Sequence, residues 1–201
     1  AFTAAVLLMY GSSRRGSTAH ASPAPELLSA LPSGAPTLVY LDLAAVRASS
    51  FYQHRPDKAP IAIPNQDYAD FVHSTGFDFE KDLDSVVIAS WPAGSGKETG
   101  ETVAIAEGRF DRAKIRDYAA RQGKLDRQQG RDVFLFPAQD KTGTNSVTFL
   151  DDHRIALATG SSIAPVFGGN SSDSSGDPAR QRAARLDGAA AFIIARVPTI
   201  P

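Results

Sequence analysis

The chain has 201 residues, of which 42% are hydrophobic and 21% charged, with a formal net charge of −1. That suits a globular core of one large domain, and it gives no overall electrostatic footprint for nucleic acid or an anionic membrane. Cysteine is absent, which excludes disulfides, thiolate metal sites, cysteine nucleophiles and a lipidated cysteine anchor, while leaving the redox compartment open.

Residues 1–10, Ala1 to Tyr10, form an uncharged apolar run. Ten helical residues rise about 15 Å, half of a ~30 Å hydrocarbon core. The run reads as the end of a membrane anchor or signal segment whose start is missing. Ala19-His20-Ala21 has the small-x-small form of a signal-peptidase site. It lies well beyond Tyr10, with Arg14 and Arg15 between, which favours an uncleaved anchor over a cleaved signal or a peripheral helix. Arg14 and Arg15 alone would place their flank in the cytoplasm; upstream positive charge would reverse that, and an exported domain is the expectation. Residues 11–25 are rich in Ser, Gly, Ala and Pro and read as a flexible tether.

The folded part is expected from Glu26. Leu27, Leu28 and Leu31 make a helical stripe that stops at Pro32-Ser33-Gly34. Thr37 to Asp42 is a strand, and Leu43 to Tyr52 a helix. Pro56, Pro60 and Pro64 require a loop. Asn65 is a candidate cap for a helix with Tyr68, Phe71 and Val72 inward, ended by Gly76. Ser85–Trp91 and Thr102–Phe110 are strands joined by a loose hairpin loop. Asp111 caps a helix that buries Ile115, Tyr118 and Ala119 and ends at Gly123. Short strands follow at 124–129, 131–137, 145–150 and 154–159, with turns at Gln129-Gly130 and Asp151-Asp152-His153. Ser161–Phe167 is a short helix, 168–176 a low-complexity loop, Pro178–Leu186 a helix with Pro in its first turn, and Ala189–Val197 a last strand.

The order from Thr37 to Gln129 is β-α-β-β-α-β. It predicts an α+β fold: a ferredoxin-like layer in an extended antiparallel sheet, with helices on one face. Helix, turn, Gly34-Ala35 and strand near the start find an echo in helix, Gly188-Ala189 and strand near the end. The expected organisation is an apolar segment at 1–10, a tether at 11–25, an α+β domain at 26–177 and the start of a second repeat at 178–201.

Four stretches carry a resemblance. They are Leu31-Pro32-Ser33-Gly34 leading into Leu38 to Asp42, Gly76 to Asp84 before a strand, Ala106 to Asp111, and Phe149 to Leu157. Across most of residues 26–197 the chain resembles uncharacterised bacterial exported or membrane-anchored proteins built from tandem α+β repeats. The resemblance implies a fold and an envelope address and lends no activity.

Few residue clusters suggest chemistry. Asp78, Glu80, Asp82 and Asp84 alternate as in a calcium loop, but Leu83 stands where the loop needs glycine and Ala89 where it needs its closing acid. Gly94-Ser95-Gly96-Lys97 lacks the phosphate-loop spacing and joins two strands. His20, His54, His73 and His153 show no metal spacing, and no Gly-x-Ser-x-Gly occurs. Trp91, Tyr68 and Phe71 read as core or rim aromatics. The real asymmetry is basic: Arg109, Arg112, Lys114, Arg116, Arg121, Lys124, Arg127 and Arg131 stand against Asp111, Asp117 and Asp126. This is either a solvated helix face with an Asp117–Arg121 pair or a patch for lipid headgroups, nucleic acid or an acidic partner. Phe134 and Phe136 lack the glycine–aromatic signature of an RNA-binding strand and read as core.

The resulting expectation is a non-enzymatic, membrane-tethered envelope protein, a structural or interaction module. No cofactor, metal or nucleic acid is called for, and the membrane is engaged through the N-terminal segment. The alternatives are an enzyme whose site is completed by residues after Pro201, and a small-molecule or lipid binder on an open sheet face.

Overall fold

A computed structural model describes residues 24–54, 66–93, 100–138, 143–160, 163–167, 177–186 and 188–196. The apolar run at 1–10, the tether up to residue 23, His20, the proline loop with Asn65, Gly94 to Lys97 and the 168–176 loop lie outside these residues.

Eight strands form one sheet: β1 (Thr37–Asp42), β2 (Leu83–Trp91), β3 (Glu101–Gly108), β4 (Lys124–Gln128), β5 (Arg131–Pro137), β6 (Thr144–Phe149), β7 (Arg154–Thr159) and β8 (Ala191–Ala195). The helices are α1 (Ala24–Ala30), α2 (Leu43–Ala48), α3 (Ser50–Gln53), α4 (Gln66–Thr75), α5 (Phe79–Asp82), α6 (Arg112–Gln122), α7 (Ala164–Phe167) and α8 (Pro178–Ala184). The strand order is β4-β5-β6-β7-β3-β2-β1-β8, and every neighbouring pair is antiparallel. After β3 the chain crosses through α6 to the far edge, lays down β4, and returns by the meander β5–β6–β7 to β3.

The α+β class and the extended antiparallel sheet are as the sequence implies. The strand neighbours are not those of a ferredoxin-like layer, which sets its first strand beside its third. Here β1 lies beside β2, with Asp42 opposite Ser85. The connection α2–α5 therefore leaves and re-enters at one end of the sheet instead of crossing it.

Helices cover both faces, not one. On one face Leu38, Tyr40, Val87, Val103, Ile105, Ala156 and Phe192 pack with Leu27, Leu28 and Leu31 of α1, Val166 of α7 and Ala179 and Ala183 of α8. On the other, Val86, Ala106, Val147, Phe149, Ile155 and Leu157 pack with Leu43, Phe71, Phe79 and Ile115 from α2, α4, α5 and α6. The cause is visible in β2: Val86 and Ile88 alternate with Val87 and Ala89, so both phases are apolar. A strand apolar on both sides has to be covered on both.

Local signals placed most elements. Asp42 caps α2 by accepting from the Ala45 amide at 2.7 Å, and Asp111 caps α6 by accepting from the Lys114 amide at 3.1 Å. Gly76 follows α4 at φ +73°, the left-handed cap only glycine adopts freely. The fold starts two residues before Glu26, since Ala24 and Pro25 already belong to α1. At the other end, α8 and β8 share the main core, and β8 pairs with β1. β8 thus sits within the same sheet as β1 to β7, and α8 packs on its main core.

Gly123 ends α6 for a different reason from Gly76. Its φ is −130°, but a Cβ there would stand 2.6 Å from the Leu135 carbonyl oxygen and 3.0 Å from the Phe136 ring. Gly123→Ala should therefore cost about 1–3 kcal/mol by forcing α6 away from β5. Chemical denaturation checks this, and a loss under 0.5 kcal/mol would mean the close approach yields at no cost.

Candidate interaction surface

The basic residues lie on α6 and the strands that follow it. Asp111 starts α6, and Ile115 and Ala119, one turn apart, bury its inner face. That turns Arg112, Lys114, Arg116 and Arg121 outward, where all four are exposed. The Gln129-Gly130 turn, with both φ values positive, folds β5 back on β4; Arg127, opposite Asp132, lies on the α6 side of the sheet, whereas Arg131, in phase with Val133, lies over Phe167 on the other side.

Carboxylates meet most of this charge. Asp132 faces Arg116 at 2.9 Å and Arg127 at 3.8 Å. Asp152 holds Arg112 at 2.6 Å, and the Arg112 guanidinium lies 5.0 Å from the Phe149 ring centre. Lys114 pairs with Asp111 at 3.3 Å. Arg109 lies 3.2 Å from Asp84 and 3.6 Å from Asp82. Arg131 donates to the Leu150 carbonyl at 2.9 Å and sits over Phe167. Arg121 and Lys124 have no ion pair among the described residues.

Counting charge along 109–131 overstated the patch, because Asp82, Asp84, Asp132 and Asp152 come from outside that window. Exposed pairs of this kind contribute about 0–1 kcal/mol each. They spend the patch on itself more than on stability.

The acidic stretch is likewise used locally. Asp78 accepts from the Glu80 amide at 3.0 Å and caps α5, and Asp82 accepts from the Asp78 amide at 2.9 Å. Asp84 binds Arg47 at 2.6 Å, and Arg47 also donates to the Leu83 carbonyl at 2.5 Å. Among the described residues no group of three or more His, Cys, Asp or Glu side chains is placed to hold a metal. His54, His73 and His153 are exposed on separate elements. Tyr68, Phe71 and Trp91 pack as core or rim aromatics, with Phe71 against Phe77 at 5.9 Å and Tyr118 at 5.3 Å. Phe134 is buried on β5 and Phe136 half-buried.

Five groups titrate away from their ordinary values, among them Lys81, raised by its hydrogen bond to Asp78, and Asp126, lowered by a hydrogen bond from Gln128. Hydrogen bonds from the Lys114 amide and side chain hold Asp111 below the usual carboxylate range. Burial raises the Tyr68 phenol. Burial also raises Asp151, but hydrogen bonds from the His153 amide and from Arg154, with the charge of Arg154, outweigh it and leave Asp151 lowered. A depressed carboxylate stabilises the fold fully above its unfolded pKa and loses that contribution as pH falls through its folded value. Asp151→Asn should flatten the decline of melting temperature between about pH 5 and pH 2. An unchanged slope would place the acid sensitivity elsewhere.

The sheet edges were not legible as such, because edge positions depend on topology. They differ sharply. The β4 edge is Lys-Leu-Asp-Arg-Gln, and Lys124, Asp126 and Arg127 are exposed along it. Charges of this kind blunt an edge against further pairing. The β8 edge is Ala-Phe-Ile-Ile-Ala, without charge, and Ile193 is 53% exposed. The Asp42 amide donates to the Ala190 carbonyl at 2.7 Å and the Arg196 amide to the Pro36 carbonyl at 2.8 Å. In an antiparallel ladder the hydrogen-bonded positions alternate. Residues 190, 192, 194 and 196 therefore face β1, and the backbone groups of Ala191, Ile193 and Ala195 face outward.

No helix of the described residues is long and apolar enough to cross a membrane. No family model matches the chain, and no curated protein matches it. Among solved structures, three crystal forms of TP0453 are distant neighbours. Form IV is 17% identical with a TM-score of 0.41 and covers 73% of this chain and 54% of that one. Form I is 16% identical at 0.40, covering 71% and 49%, and form III 16% at 0.39, covering 70% and 50%. The chain spans about half the length of that protein. Similarity at this level assigns no function.

Proposed function

We propose that the protein is a non-enzymatic envelope module, tethered to a membrane through its first residues, that acts by extending its sheet at β8. The observation that carries this reading is the contrast between the edges: β4 is guarded by Lys124, Asp126 and Arg127, whereas β8 is wholly apolar and no described strand pairs with its outer side. An unguarded apolar edge in a fold that guards its other edge is a site for another strand. The ion pairs of the basic surface support the same reading, since Arg109, Arg112, Lys114, Arg116 and Arg127 already serve neighbouring carboxylates.

Light scattering tests the edge. Ile193→Lys should suppress concentration-dependent association of the 201-residue chain, and Leu125→Lys, an equally exposed apolar residue on β4, should leave it unchanged. Equal behaviour of the two variants would remove β8 as the site. Flotation on phospholipid vesicles tests the tether: the chain should float, and residues 24–201 should not.

A further inference from the structure

The elements leading into β1 and β8 share an order and a spacing that the sheet does not require. Helix α8 and strand β8 repeat α1 and β1 at one constant offset. Ala24 corresponds to Pro178, Ala30 to Ala184, Gly34 to Gly188, and Thr37 to Ala191. Gly34 and Gly188 both have φ +79°.

At that offset the strand pairing is its own mate. Leu38 pairs with Ile194 and Tyr40 with Phe192, while Val39 pairs with its own counterpart, Ile193. The hydrogen bond from Asp42 to Ala190 and that from Arg196 to Pro36 exchange under the same operation. The two strands are thus related by the local two-fold that any antiparallel pair has, here passing between Val39 and Ile193. Both helices lie on one face of the sheet, as an axis perpendicular to the sheet demands. Their buried residues differ: α1 buries Leu27 and Leu28, and α8 buries Ala179 and Ala183.

In the first unit β1 is flanked by β8 on one side and β2 on the other. By the same order of elements a counterpart of β2 would lie beside β8, which has β1 on one side and, among the described residues, no strand on the other.

We infer that α8 and β8 open a second α+β unit of the same polypeptide, and that the two units share one continuous sheet across the β1–β8 pair. The occupant of the open edge is that unit's counterpart of β2, running antiparallel to β8. This names the partner of the edge described under the proposed function and rests on that reading.

Backbone hydrogen exchange, resolved by residue, tests it on the 201-residue chain and on the full product of the natural gene. In the 201-residue chain the amides at 192 and 194 should be protected, and those of Ala191, Ile193 and Ala195 should exchange rapidly. In the full product all five should be protected, the three outward ones slowed at least 100-fold. A reading frame that stops at Pro201 would overturn the inference, as would rapid exchange of the three in the full product. So would protection of the three that depends on concentration in the full product, because a second copy would then be the occupant; in the 201-residue chain the exchange is read below the concentration at which it associates. If the inference fails while Ile193→Lys still suppresses association, the edge remains an interaction site with a different partner.

Discussion

Replacing Asp177 by alanine should destabilise the domain by about 3–5 kcal/mol, the range for breaking a buried ion pair from one side. The Asp177 side chain is only 6% exposed and that of Arg180 12%. One carboxylate oxygen accepts from the Ala179 amide at 2.9 Å and caps α8; the other accepts from the Gly34 amide at 3.1 Å and lies 3.6 Å from Arg180 Nε. Arg180 in turn donates to the Leu31 carbonyl. One side chain thus fastens the start of α8 to the turn that ends α1. Alanine would leave the Arg180 charge buried and two amides without their acceptor. For a domain of this size the melting temperature should fall by about 10 °C. Asp177→Asn keeps an acceptor for the cap and should lose less. A loss below about 1 kcal/mol for Asp177→Ala would show that solvent reaches this cluster freely.

Leu27→Ala should cost about 2–5 kcal/mol. Leu27 is fully buried in the core beneath α1, among residues of β1, β2 and β3. Alanine removes the side chain from the middle of that layer, and α1, only seven residues long, has few other contacts with which to close the void. Deleting residues 1–23 should leave the cooperative melt unchanged, because the apolar run at 1–10 reads as a membrane segment and the Ser/Gly/Pro-rich stretch after it as a tether, neither expected in the core. The pair of results marks the boundary of the fold. If the deletion unfolds the protein, the N-terminal segment is core and the tether reading fails; if Leu27→Ala is silent, α1 is a loose appendage.

Elements with a strong local signal were legible in the sequence. β1, β5 and β7 begin and end where alternation and turn residues place them, and the Asp111 cap with Ile115 and Ala119 inward defines α6 without help from the rest of the chain. Pairing was not legible. Nothing local tells β3 that its neighbour is β7 and not β4, because the choice is made by which faces need cover and by the return path of the meander. The one-faced helical layer failed on evidence present in β2 and β3, whose two phases are both apolar. The counter-charges of the basic stretch, Asp82, Asp84, Asp132 and Asp152, were not legible beside it because they come from other parts of the sequence. The Asp177 cluster escaped notice because Gly34 and Leu31, its partners, lie at the opposite end of the chain.

The β1–β8 register underlies both the sheet and the proposed joint, and one cross-link reads it directly. Val39 and Ile193 are directly opposite in a non-hydrogen-bonded pair. Such pairs hold Cα atoms about 4.5 Å apart, within disulfide reach. The chain has no cysteine of its own, so Val39→Cys combined with Ile193→Cys offers a single possible bridge. Mild oxidation should give a monomeric, internally linked product in high yield, with a melting temperature raised by closure of a long loop worth about 4–5 kcal/mol. Leu38→Cys with Ile193→Cys, one residue out of register and on opposite faces of the sheet, should stay reduced. A Val39–Ile193 double variant that stays reduced, or that links only between molecules, would contradict the register and with it the proposed joint.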